Sequence, residues 1–289
     1  MSNINLLKGD CFDLMKKLPN KSVDAIVTDP PYEYLNHKLD RRFNEEAVFE
    51  QWNRVVKDNG MILFFGRGES FYRWNYLLNQ MGWHFKEEVI WNKRLTSTPM
   101  LPIGRIHETI SILSKDGKIR KVKVPYLEKN KYDLKKIVGD VKRVSSALNN
   151  PSELSMIGKY LETGENSYTS VSVNGITLSR KTKTNNKGVD TVKGFVEGRV
   201  EQDVIEQLAI RNRKKQFHPT QKPTPLMERL ISLVSDEGNV ILDPFMGSGS
   251  TGVAAANLDR SFIGYEIDDD YFRTAEQRIN EARRNVELF

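Results

Sequence analysis

One cysteine, Cys11, is all that 289 residues contain, so an intramolecular disulfide and a cysteine-rich zinc site are both excluded. No apolar run approaches 18 residues, and no membrane span is expected. The opening, MSNINLLKGD, lacks a basic start followed by a long apolar stretch, so no signal peptide is expected and a cytoplasmic location fits. Repeats are not evident, no His/Cys cluster suggests a metal, and no Gly-Lys-Ser/Thr closes a phosphate-cradling loop. Acyl transfer is disfavoured too, since Ser248 and Ser250 have no convincing base partner in the sequence.

What is present is ordinary in bulk and uneven in distribution. With 38% hydrophobic and 28% charged residues, the chain can bury a sizeable core. Its net charge is +6, but Lys115 to Lys215 holds 22 Lys/Arg against 12 Asp/Glu, a net +10, which leaves −4 for the rest. A basic middle in a slightly acidic body suggests a polyanionic partner, with a solvated insert as the plain alternative.

Hydrophobic patterning divides the chain into three. Residues 1–114 alternate strands (INLLKGD, VDAIVTD, MILFFG, KEEVIWNK, HETISILSK) with helices (CFDLMKKLP to near Pro19, NEEAVFEQWNRVVKDNG to Gly60, FYRWNYLLNQMG). Residues 115–216 lose that rhythm and are rich in Lys, Ser, Thr, Asn and Gly. Residues 217–289 regain it. The pattern predicts an α/β fold with a mainly parallel sheet and helices on both faces.

Two segments carry chemistry. In NVILDPFMGSGSTGVAAANLDRSFIGYEID a strand ends at Asp243, a turn with Gly247 and Gly249 opens a small-residue helix, and the next strand ends at Glu266. Glycines admit a close ligand, a helix start offers unpaired N–H groups, and an acid at the second strand tip suits a ribose diol. The spacing is not that of a dinucleotide binder, and the turn has no lysine for a triphosphate. A nucleoside with a charged, non-phosphate tail fits, such as S-adenosylmethionine. The other segment is Asp29-Pro30-Pro31-Tyr32, where a strand stops on a rigid corner. The prolines fix φ and remove two N–H groups, so the corner presents acceptors rather than donors.

Together these motifs resemble the amino-methylating DNA methyltransferases, and further pieces agree: GDC at 9–11, IWNK at 90–93, HPTQKP at 218–223 and GYEID at 264–268. The order, catalytic motif first and cofactor motif last, is similar to the permuted beta subgroup. The resemblance covers both flanks and implies a Rossmann-like S-adenosylmethionine-dependent fold. Residues 1–114 would form the catalytic half, 115–216 an inserted target-recognition region, and 217–289 the cofactor-binding half. It implies catalysis at Asp29, Pro30, Pro31 and Tyr32. Asp29 and the carbonyl of Pro30 would accept the amino protons of a flipped-out base, and Tyr32 would stack on it. Cofactor contacts would come from Asp10, Cys11, Thr220, Lys222, Asp243, Pro244, Phe245, Gly247, Ser248, Gly249, Glu266 and Ile267.

Asp10 also reads as a helix N-cap, Cys11 as structural, Phe245 equally as core or as a wall of the cofactor site, and Trp91, Phe64 and Phe65 as packing. Double-stranded DNA is the implied partner, held in part by Lys135, Lys136, Lys142 and Arg143. A second copy of the chain and a cognate restriction endonuclease are partners the resemblance allows. An acid in the first motif position is commoner among adenine-N6 enzymes, with cytosine N4 and a non-catalytic DNA-binding relative as alternatives.

Overall fold

The computed structural model describes residues 3–32, 42–94, 103–130, 133, 136–137, 140, 170–173, 176–179, 194, 197–210 and 221–287. In chain order the elements are β1 (Ile4–Lys8), α1 (Cys11–Met15), β2 (Val23–Thr28), α2 (Glu45–Val55), β3 (Val56–Gly66), α3 (Gly68–Gln80), β4 (His84–Asn92) and β5 (His107–Ser114). Then come β6 (Lys123–Val124), α4 (Tyr126–Lys129), β7 (Ser170–Val173), β8 (Ile176–Ser179), β9 (Arg199–Val200) and β10 (Val204–Glu206). The last are α5 (Thr224–Val234), β11 (Val240–Asp243), α6 (Ser250–Asn257), β12 (Ser261–Glu266) and α7 (Asp269–Glu287).

Two compact units emerge, one of residues 1–120 and 202–289 and one of residues 121–201. In the first, eight described strands form a sheet in the order β1-β12-β11-β2-β3-β5-β4-β10. Five of its pairings are parallel, and only β5 runs against its neighbours β3 and β4. The sheet is therefore mainly parallel, as the alternation of periods predicts. β10 adds to the edge through Val204 opposite Ile90, so part of the 115–216 segment belongs to this sheet. The second unit holds the β6/β9 pair and the β7/β8 hairpin, with Tyr126 buried and its hydroxyl donating to Asp140 at 2.6 Å.

Both faces of the large sheet are covered. On one, α1, α2 and α3 pack Met15, Phe49, Trp52, Trp74 and Leu78 against Ile26, Phe64, Leu242 and Tyr265. The other face carries α5, α6 and α7, which contact one another in series. Strand alternation accounts for the division. Tyr265 faces the aromatic side, whereas a Cβ on its neighbour Gly264 would lie 2.4 Å from Met246 Sδ and 2.6 Å from the Phe262 ring. Gly252 of α6 is equally tight, its Cβ position being 2.3 Å from Ile279 Cδ1 of α7.

Two boundaries differ from the sequence pattern. The helix expected to run to Pro19 ends at Met15: the N–H groups of Lys17 and Leu18 turn back three residues to Leu14 and Met15, Pro19 has no N–H to continue the ladder, and Arg54 of α2 donates to the carbonyls of Met15 and Leu18, both at 2.7 Å. The helix expected to reach Gly60 ends at Val55, and β3 begins at once. Val56 pairs with Val23 of β2, and β-branched residues suit a strand. Gly60 is then no helix stop but a close approach, since a Cβ there would lie 2.7 Å from the Asp24 carbonyl.

Candidate active site

Strand β2 leads to β3 on one side of the sheet, and β11 leads to β12 on the other. Such a reversal opens a crevice beyond the carboxyl ends of the strands. A cavity of about 640 Å³ lies there, within the range of ligand pockets, and both chemistry-bearing segments open onto it. Its lining includes Asp10, Cys11, Asp29, Pro30, Pro31, Tyr32, Lys222, Asp243, Pro244, Phe245, Gly247, Ser248, Glu266 and Ile267. Gly249 is the N-cap of α6, with φ of 80°. Thr220 lies outside the described residues.

The acids have distinct tasks. Asp10 caps α1, accepting from the Phe12 N–H at 2.9 Å. Asp243 is fully buried and satisfied within the protein. It accepts from Thr28 Oγ1 at 2.7 Å, Thr251 Oγ1 at 2.6 Å and the Phe245 N–H at 3.1 Å, and so ties β11 to β2, to its own turn and to α6. Burial pushes its carboxyl up to about 6 against the pull of those bonds. Glu266 accepts from the N–H groups of Gly247, Ile267 and Asp268 at 2.8–2.9 Å, which fixes the glycine turn to the tip of β12. Burial raises its pKa as well, with the three backbone bonds opposing. Arg278 of α7 holds the turn from beneath by donating to the carbonyl and hydroxyl of Ser248. Ser250 Oγ and Tyr265 Oη, both deeply buried and on the cavity lining, accept or donate no hydrogen bond within the protein among the described residues.

Asp29 follows β2, and its carboxylate meets the ammonium of Lys222. Lys222 also reaches Glu108 Oε2 at 3.2 Å, and Glu108 Oε1 accepts from Lys93 at 3.1 Å. The rings of Phe65 and Trp91 lie 4.6 and 6.0 Å from the Lys222 ammonium. Burial alone would lower the pKa of Lys222, but Asp29, Glu108 and Tyr32 together raise it. Burial would raise that of Glu108, and the two lysines reverse it, so its carboxyl titrates below the ordinary value. Tyr32 is braced edge-on by Trp74, with ring centroids 6.4 Å apart. Phe245 serves as both wall and core: it lines the cavity and packs on Phe43 at 5.2 Å. Phe64, Phe65 and Trp91 are core residues.

Sequence reasoning missed Glu108, Lys93, Thr28, Thr251 and Arg278. Lys93 closes the IWNK piece just after β4, and Glu108 is a lone acid on β5; nothing along the chain says that the two meet. Of the basic residues expected to hold DNA, Lys136 is exposed, while Lys135, Lys142 and Arg143 lie outside the described residues. Among those described, no helix is long and apolar enough to cross a membrane.

Comparison with known proteins agrees with this architecture. Residues 23–277 match the profile of the N6/N4 methyltransferases, described as DNA methylase. The chain is 27% identical to the type II methyltransferase M.HinfI of Haemophilus influenzae, over 97% of this chain and 69% of that protein. It is also 27% identical to the type II methyltransferase M2.DpnII of Streptococcus pneumoniae, over 95% and 88% respectively. Among solved structures, the complex of M1.HpyAVI with SAM has a TM-score of 0.57 at 24% identity, covering 96% of this chain and 99% of that one. The PvuII DNA methyltransferase, named as cytosine-N4-specific, has a TM-score of 0.57 at 13% identity, covering 99% and 93%.

Proposed function

We propose, starting from a chain that belongs to the N6/N4 DNA methylase family, that this DNA methyltransferase moves the methyl group of S-adenosylmethionine to the exocyclic N6 of adenine in double-stranded DNA. One observation carries the reading: the Asp29–Tyr32 corner and the glycine turn, through Gly247 and Ser248, open onto a single cavity.

The residues present suit that cofactor. Asp10 and Glu266 give the cavity acidic walls, favourable to a sulfonium cation, and Phe43 and Phe245 give it aromatic ones. Ser250 Oγ and Tyr265 Oη are buried polar atoms that a bound ligand can satisfy,. Glu266 would accept from the ribose hydroxyls, and the N-terminus of α6 with Ser248 and Ser250 would receive the carboxylate end. When bound, the cofactor would supply a methyl carbon on sulfonium; the nitrogen–carbon bond forms as the carbon–sulfur pair returns to sulfur, and the acidified methylated nitrogen then releases one amino proton to solvent.

The chain's own residues prepare the nucleophile. An exocyclic amino nitrogen is weak because its lone pair is delocalised into the ring. A hydrogen bond from the amino group to Asp29, and a second to the Pro30 carbonyl, favour a pyramidal nitrogen with a more available pair. Tyr32, braced by Trp74, offers its ring to a base taken out of the duplex,. Such chemistry depends on positioning more than on a strong base. The basic segment, including Lys135, Lys136, Lys142 and Arg143, would neutralise DNA phosphates.

The acid at Asp29 favours adenine by family resemblance, and cytosine N4 is the competing target. The test is methylation-sensitive sequencing of DNA from an expressing host, with nucleoside analysis. N6-methyladenine at a defined site is expected. N4-methylcytosine would overturn the base assignment, and no modified base would overturn the activity.

A further inference from the structure

The Asp29 carboxylate does not face the cavity unaccompanied. It ends a line of alternating charge, Lys93–Glu108–Lys222–Asp29, that crosses from the residue after β4 through β5 to the segment before α5 and on to the corner after β2. The side chains of Lys93, Glu108, Lys222 and Asp29 are 10, 16, 7 and 20% exposed, so exposure is greatest at the cavity end. Isolated charges are costly at such depth, and alternation makes the line neutral overall.

We propose that Lys222 is a positioning residue for methyl transfer: it holds the Asp29 carboxylate ionised and fixed as the amino-proton acceptor, and Glu108 with Lys93 holds Lys222. The inference rests on the methyltransferase reading above and deepens it. Three features support it. The Lys222 ammonium is directly on Asp29, not on the glycine turn. It lies against the Phe65 and Trp91 rings, which limit where it can swing. Glu108 has a lysine at each oxygen, so it can orient Lys222 without gaining a proton itself.

The arrangement also limits what Asp29 does. A carboxylate bonded to a buried ammonium is a weak base but a good, permanently ionised acceptor. Among the described residues, the groups around it include Lys222, Tyr32 of its own corner, Glu108 behind Lys222 and Asp243 of the adjacent strand. Lys222 is the cation bonded to it, and the described charged groups behind and beside that pair, Glu108 and Asp243, are acidic. Once that cation is removed, a buried carboxylate in such company takes up a proton, and a protonated acid cannot serve as the same acceptor.

The experiment uses the full chain, S-adenosylmethionine and a duplex carrying the site identified by sequencing. Lys222→Met is compared with wild type for cofactor affinity by calorimetry and for kcat across pH 5.5 to 9. Wild type is expected to show little pH dependence at the acid end. In Lys222→Met, kcat is expected to fall by about 100-fold at neutral pH and to climb about tenfold per pH unit as the carboxyl ionises. Cofactor affinity should change by less than about threefold, since the lost contact is with Asp29. Lys222→Arg should recover much of the rate and a flatter profile.

Should Lys222→Met fail to fold, Glu108→Gln carries the same test and is expected to move kcat in the same direction with a smaller amplitude. A wild-type profile in the variant that folds would overturn the proposal. So would a large loss of cofactor affinity with kcat and its pH dependence unchanged, which would make Lys222 a cofactor ligand. A wild-type chain that methylates no base overturns the underlying activity and is seen before any variant is made.

Discussion

Replacing Asp243 by Asn tests whether the buried carboxylate at the tip of β11 costs stability. Desolvation lifts its pKa from the ordinary 3.8 to about 6, opposed by the bonds from Thr251, Thr28 and Phe245, with the nearby Asp29 adding to the rise. Between those two values the folded chain retains a proton that the unfolded chain has lost. The folded state is therefore favoured by this group below about pH 4, and that advantage disappears as pH rises through about 6,. At about 1.4 kcal/mol per pH unit, the gap corresponds to about 3 kcal/mol.

Asparagine keeps the shape, does not titrate, and can still bond every neighbour. Its oxygen accepts from Thr28 and the Phe245 N–H, while its amide donates to Thr251, whose hydroxyl also accepts. Denaturant unfolding of wild type and Asp243→Asn at pH 4, 5, 6, 7 and 8 supplies the measurement. Subtraction cancels Glu266 and the other groups that titrate in both proteins. The stability of the variant relative to wild type is expected to grow by about 2–3 kcal/mol from pH 4 to pH 7 and then level off. A difference flat across that range, or one that shrinks with pH, would refute the reasoning. It would mean that the three donors already match water as surroundings for the charge.

Asp29→Ala is expected to abolish methyl transfer while leaving cofactor affinity largely intact, as read by tritium transfer and calorimetry, because the lost hydrogen bond is strongest in the transition state. Tyr32→Ala should weaken capture of the flipped base by about 1–3 kcal/mol, with Tyr32→Phe mild, both measured as kcat/KM. Gly252→Val would drive side-chain atoms into Ile279 and Phe262, whose carbons already lie 2.3 and 2.7 Å from a Cβ at that position. A loss of about 1–3 kcal/mol or more in denaturant unfolding is expected. Neutralising Lys135, Lys136, Lys142 and Arg143 together should weaken DNA binding and flatten its salt dependence without altering cofactor affinity, as measured by fluorescence anisotropy at several salt concentrations.

Much of the fold is local in origin and therefore written in the sequence. Alternating apolar periods specify a parallel sheet clothed in helices, because the side chains that must be buried recur every second or every third to fourth residue. The corner at Asp29–Tyr32 and the turn at Gly247–Gly249 are equally legible, since prolines and glycines restrict or free the backbone where they stand. Helix ends are less so. α2 stops at Val55, where Val56 finds Val23 on another strand, and the turn that closes α1 is held by Arg54, which reaches the Met15 carbonyl. Both contacts lie more than 30 residues away along the chain.

The same limit applies to the site. The sequence marks Asp29, Lys222 and Glu266 as separate landmarks and cannot say which touches which. Tertiary structure decided that Lys222, 193 residues from Asp29, rests on that carboxylate, and that Glu108 and Lys93 stand behind it. It likewise decided that Asp243 is spent on Thr28 and Thr251 inside the protein. Charge pairing in a buried site depends on distance in space and on exclusion of water. Neither quantity exists along a linear chain, and both arise when β2, β5 and the segment before α5 converge at one edge of the cavity.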